Sequence, residues 1–162
     1  MLAKLGPERV SFSGAGLGSL VRGFAARHGA ERVEVVVYHF DERNQQSTGL
    51  AVPVNLTVQG FAGTSQLQAT HYRIDLEHSN AAVAWAALGN PSNPTPAQMQ
   101  VIKSRSELQT LAPPTSLPVV DGRVGLSFMM PVNAVSLIVL EARSDRRSES
   151  AEQSATTIYA SW

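Results

Sequence analysis

Four histidines, His28, His39, His71 and His78, are the side chains best suited to move protons or hold a metal near neutral pH. No two have the spacing of a helical zinc pair, and the H-E-x-x-H run is absent. His39 and His71 fall in strand-like runs, where a hydrogen-bonded structural role is expected. His78 precedes a helix start, and its ring is better read as a tie across a strand-to-helix corner than as a catalytic group. The chain has no cysteine, which excludes disulfides, thiolate metal sites and Cys nucleophiles. A serine nucleophile in a G-x-S-x-G setting is also absent. Glycoside chemistry needs two carboxylates facing each other ~5–10 Å apart. Asp75 and Glu77 are close in sequence, but strand alternation points both to one side, as a solvated rim or as partners for a helix dipole. The cluster Gly14-Ala15-Gly16-Leu17-Gly18 fails the G-x-G-x-x-G spacing because position 19 is Ser, so it reads as a turn. No catalytic, cofactor-binding or metal-ligating set emerges.

The elements that would position such groups are mostly strands. At 162 residues the chain suits one domain, long enough to bury a core without staples. Lys plus Arg and Asp plus Glu number 13 each, so the zero formal charge indicates neither nucleic acid nor an anionic membrane as partner. The opening MLAKLGPERV has no apolar run of signal-peptide length, and no stretch approaches ~18 apolar residues. The compartment is left open, since Met1 is also readable as an internal residue of a longer parent.

Strands are expected over residues 8–13, 17–26 and 33–40. In the last, Val33, Val35 and Val37 share one face, and Val36, Tyr38 and Phe40 the other. A strand apolar on both sides needs a second cover, either the helices or a partner domain. After the polar connection 41–49, Leu50, Val52, Val54, Leu56 and Val58 alternate with polar or small residues. Pro53 places that strand, or one side of it, at an edge. Residues 67–75 form a further strand whose inward phase shifts from Leu67 and Ala69 to Tyr72 and Ile74, which implies a bulge.

Two helices follow. Ser79 or Asn80 caps the first, Gly89 suits its C′ position, and its apolar residues, Trp85 and Leu88 included, predict burial. Thr95-Pro96-Ala97-Gln98 has capping-box spacing with proline at the first turn, and Met99 and Ile102 are expected on the inner side. Asp121-Gly122 predicts a hairpin turn before the alternating Val124, Leu126, Phe128 and Met130. The run 134–141 is apolar on both faces, as in a central strand. The fold expected is mainly β: an antiparallel β-sandwich of seven or eight strands with a short two-helix insertion near 79–105. Residues 1–142 would form it, and 143–162 a polar tail whose last five residues could dock back as a strand.

The segments YRID (72–75), HSNA (78–81), Trp85, LGNPSNPTPAQ (88–98) and VVDGRVGLSFMMPVNAVSLIVLE (119–141) resemble the C-terminal part of glycoside hydrolase family 39. That family includes β-xylosidases and α-L-iduronidase. The opening LAKLGPERV is similar to its segment just after the catalytic barrel. The resemblance implies a β-sandwich that follows a (β/α)8 barrel. The family's acid/base is a Glu after Asn in the barrel, and this chain has no Asn-Glu pair; the nucleophilic Glu has no counterpart either. Ala82 takes a place where the family often has an aromatic residue. The resemblance thus implies a non-catalytic accessory sandwich of a β-xylosidase-like enzyme, packing against a barrel in cis or in trans, with self-association as a further expectation. The alternative is a carbohydrate-binding module for xylan-type glycans, although the chain has only two Trp and three Tyr for stacking. A free-standing hydrolase is the third reading. Neither reading calls for a cofactor.

Overall fold

The structure, a computed structural model, describes residues 1–15, 20–44, 49, 51–142 and 156–162. Of the turn expected over residues 14–18, Gly14 and Ala15 instead continue the first strand, opposite Ala160 and Ser161, and the rest lies outside the described residues, as do residues 45–48 of the polar connection, Leu50 and the charged stretch 143–155. The protein is mainly β. Its strands are β1 (Glu8–Ala15), β2 (Val21–His28), β3 (Arg32–His39), β4 (Val52–Gln59), β5 (Gln66–Ile74), β6 (Gln109–Thr110), β7 (Thr115–Pro118), β8 (Arg123–Met130), β9 (Ala134–Ala142) and β10 (Thr157–Ser161). Helices α1 (Ala81–Ala87) and α2 (Pro96–Ser106) are inserted between β5 and β6.

The strands join in one curled sheet of order β6-β5-β9-β3-β2-β1-β10-β4-β8, with β7 also paired to β5. The expected antiparallel sandwich gives way to this single curled and mixed sheet, in which β1 and β10 run parallel, Ser11 opposite Thr157 through Ala15 opposite Ser161. The first residues of β1 pair with β2 and the later ones with β10, so β1 carries the sheet around its curl. The last residues are therefore no tail. Ile158 and Ala160 are buried among the core residues, and β10 lies between β1 and β4.

Val33, Val35 and Val37 of β3 meet Val54, Leu56 and Val58 of β4 and Val124 and Met130 of β8 inside the curl. The alternation read in β4 and β8 is observed: Val54, Leu56, Val58, Val124 and Met130 are buried while Asn55, Thr57, Gly125 and Ser127 are exposed. Pro53 lies where β4 has only β8 beside it, since β10 reaches no further than Asn55. β9 is central, flanked by β3 and β5, and is buried on both faces. Asp121 and Gly122 both have positive φ (50° and 69°), which makes the tight turn before β8.

The second apolar face of β3 has an unexpected cover. Val36, Leu137 and Val139 form a separate cluster closed by Met1, Leu5, Phe24, Tyr72 and Val135, so the chain's own first residues supply the lid rather than the helices. Lys4 adds its ammonium 4.9 Å from the Tyr72 ring centre. The lid is tied down by Glu34, fully buried on that face, which accepts from the Gly6 N–H at 3.1 Å and pairs with Arg32 at 2.6 Å. Gly6 permits this approach, since a Cβ there would lie 2.0 Å from the Arg27 carbonyl oxygen.

The helices differ from expectation too. Only Ala84 of α1 is buried, no residue of α2 is, and Trp85 is 41% exposed. Met99 is exposed rather than inward. Apolar composition sets what a helix can bury, but this pair packs mainly on itself.

Candidate functional site

The inner face of β5 begins apolar, with Leu67 and Ala69 in the core, and continues as His71, Arg73 and then Asp75. Its pairing with β9 runs unbroken from Leu67 opposite Ala142 to Ile74 opposite Val135, so no bulge exists. The supposed phase shift reflects two covered faces: Tyr72 packs under the N-terminal lid, while the opposite face turns polar yet remains buried.

Arg73, 2% exposed, donates from Nη2 to the Met129 carbonyl at 3.0 Å and pairs through Nη1 with Asp75 Oδ2 at 3.6 Å. Its guanidinium also lies 5.9 Å from the Phe128 ring centre. Burial lowers the Arg73 pKa from its usual value, and the Asp75 charge opposes that. His71 stands edge-on to Phe128, with ring centres 4.7 Å apart, and its Nε2 is 2.8 Å from Ser136 Oγ. Burial first, and the Arg73 charge second, push its pKa down to about 4, so the ring is neutral at pH 7.

Asp75 Oδ1 accepts from the backbone N–H of Glu77 and of His78, both at 2.8 Å, and lies 2.9 Å from His78 Nδ1. Burial acts to raise its pKa, but these hydrogen bonds and the His78 charge outweigh it and hold the carboxyl below its ordinary value. Asp75 is thus no solvated rim; it is an anion held by its own turn. His78 makes the corner-holding contact its position suggests. Glu77 is exposed, and its carbonyl accepts from Arg105 Nη2 of α2 at 3.1 Å.

The corner then grips the helical pair. Ser79, at φ 51°, donates from Oγ to the Arg73 carbonyl and accepts from the Gln109 N–H, both at 2.8 Å. Gln109 Oε1 accepts from the Ser79 N–H at 3.0 Å. Asn80 caps α1 by accepting from the Val83 N–H, and its Nδ2 donates to the Asp75 carbonyl at 2.8 Å. The capping box at Thr95 and Gln98 is complete, and Gly89 has φ 84° after α1. Trp85 Nε1 donates to the Pro91 carbonyl at 3.2 Å, fixing the loop between the helices.

Chemically, this arrangement positions the strand-to-helix corner. Asp75 is committed to four donors or cations, the Ser79 hydroxyl to two backbone groups, and His71 is neutral. Among the described residues no group of His, Asp and Glu could hold a metal ion. Of the other histidines, His39 lies 3.4 Å from the Met130 carbonyl through Nδ1, and His28 is exposed at the end of β2. The sequence reading placed His78 at the corner and Asn80 among the candidate caps, but it set Asp75 on a solvated rim and missed Arg73, Gln109 and Ser136. The signal for Arg73 was its parity with Leu67 and Ala69.

Fold and corner together define a mainly β domain with a helical pair inserted between β5 and β6 and anchored at Asp75. No family model matches the chain, and no curated protein matches it in sequence. Among solved structures it is similar to a family 39 glycoside hydrolase from Xanthomonas axonopodis pv. citri, with TM-score 0.60 and 17% identity over 75% of this chain and 26% of that one. A monomeric β-xylosidase from Caulobacter crescentus CB15 matches with TM-score 0.58 and 25% identity over 77% of this chain and 26% of its own. A bacterial orthologue of human α-L-iduronidase gives TM-score 0.58 and 16% identity over 77% and 22%. The chain spans about a quarter of the length of these enzymes. Its fold is related to that of family 39 glycoside hydrolases.

Proposed function

We propose that this chain is the non-catalytic β-domain of a β-xylosidase-like glycoside hydrolase, corresponding to the part that follows the barrel, and that it packs against and steadies a (β/α)8 catalytic barrel in cis or in trans. The observation that carries the reading is the pattern of coverage: three quarters of this chain superposes on only a quarter of each glycosidase. The remainder of those chains is large enough to hold the catalytic machinery that this sequence lacks. Support also comes from surface. The apolar face of β3 is closed by the chain's own N-terminal residues, which leaves the helical pair as the surface to be covered: Val83, Trp85, Met99 and Val101 are all exposed there.

The test is titration of the chain with a separately produced β-xylosidase barrel, followed by sedimentation. Association is expected, and Trp85→Glu weakens it while leaving the thermal midpoint unchanged. The purified chain alone releases no nitrophenol from nitrophenyl xyloside. A chain that stays monomeric and indifferent to the barrel overturns the reading.

A further inference from the structure

Gly125, in the interior of β8, has no structural reason to be glycine. Its φ lies outside the left-handed region, and among the described residues nothing comes within 4 Å of where a Cβ would stand. The β4·β8 register is continuous from Val52 opposite Met130 to Gln59 opposite Arg123, so no bulge requires it. Gly6, Gly14 and Gly23, by contrast, each have a backbone or ring where a Cβ would clash. An unforced glycine in a strand interior weakens it relative to alanine, and such positions often mark close approach of a ligand.

What surrounds Gly125 fits one ligand chemistry. On the outward face, register places Tyr159 of β10, Thr57 of β4 and Gly125 of β8 in one row. Tyr159 is 50% exposed, and Gln59 Nε2 reaches its hydroxyl at 3.5 Å. In the next row Ser127 Oγ donates to Asn55 Oδ1 at 2.7 Å, which aims the remaining Asn55 amide N–H groups at an incoming acceptor. The row from ring to glycine is two strand spacings, about 10 Å, the span of two pyranose rings. Of the outward positions paired across β1, β10, β4 and β8, Arg123 alone is charged. Hydroxyls, amides, one open aromatic ring and almost no charge complement a neutral, polyhydroxylated chain.

We propose that the outward face of β10, β4 and β8 is a binding surface for a neutral xylan-type glycan, with one sugar stacked on Tyr159 and the next lying over Gly125. The C–H groups of a pyranose pack on the tyrosine ring, and Asn55 and Gln59 bond its hydroxyls. This gives the glycan-binding alternative a site on elements distinct from the helical pair. A failure here and a failure of barrel association are therefore separable: Tyr159→Ala leaves barrel association intact, and Trp85→Glu leaves glycan binding intact.

Isothermal titration of the full chain with xylohexaose, with amide NMR shifts followed in parallel, decides it. Saturable binding is expected, with shifts gathered at Thr57, Gly125 and Tyr159. Tyr159→Ala lowers affinity about tenfold or more, whereas Tyr159→Phe keeps most of it. Gly125→Val fills the open space with a good strand former, and should abolish binding without lowering the thermal midpoint. Tyr159-dependent binding of cellohexaose also supports the surface. The proposal is overturned if neither neutral hexaose binds, if only anionic polygalacturonate binds, if shifts gather around Trp85, or if both variants bind like the parent chain.

Discussion

β9 and α1 are both rich in apolar residues and meet opposite fates. In β9 both faces are covered, one by the core inside the curl and one by the N-terminal lid. In α1 and α2 nearly every apolar side chain reaches solvent, and the pair is held by caps and by the polar corner at Asp75. Apolar composition alone does not bury a segment. A strand between two neighbours already has its backbone satisfied and needs only cover, whereas a seven-residue helix is marginal by itself and depends on what anchors its ends.

The largest way to break this contrast is to hollow out β9. Ile138→Ala should cost about 2–5 kcal/mol, read as a lower urea midpoint, because it leaves a cavity in the main core. Next is the anchor. Arg73→Ala leaves Asp75 without its buried cation and the Met129 carbonyl without its donor, a loss of about 3 kcal/mol or more by the same measurement.

The third prediction concerns pH. His71 has a folded pKa near 4 against 6.5 when exposed, so between those values the unfolded chain binds a proton that the folded chain refuses. Stability should therefore fall as pH drops from 6.5 to 4, by up to about 3 kcal/mol from this group, and His71→Gln should flatten that slope in urea titrations at stepped pH. Asp75 acts in the same sense but lower down: its contribution is present above its ordinary pKa and is lost as pH falls below it.

The smallest effect is the sharpest. Trp85→Ala should change stability by less than about 1 kcal/mol, where a core tryptophan would cost about 3–5. A large loss would show that the helical pair is buried after all.

Much of this was legible in residue order. The alternation from Val52 to Val58, the Asp121-Gly122 turn, the Thr95 capping box and the two-sided run in β9 are local patterns, and local rules found them. The misses were relational. Arg73 and Glu34 are buried because of what lies across from them, which alternation cannot report. The phase of β5 was misjudged because cover on both faces makes Tyr72 look inward. Trp85 was read as core because its neighbours in sequence are apolar, although it stands 41% exposed on the helical pair. β10 was read only as an end that could dock back, without a place in the sheet, because its partners lie far away along the chain.

That last pairing also governs how the molecule reaches its native state. The Ser13 hydroxyl and the Ile158 carbonyl, 3.4 Å apart, are separated by 145 positions. Among the described residues β10 is the sole strand between β1 and the β4–β8 pair, so this part of the sheet closes only when two very distant segments meet. Loop entropy makes such closure slow. Until it happens, β1 and β4 each present a bare edge to other chains. Refolding yield should accordingly drop as protein concentration rises, with aggregation competing against the arrival of a single five-residue strand.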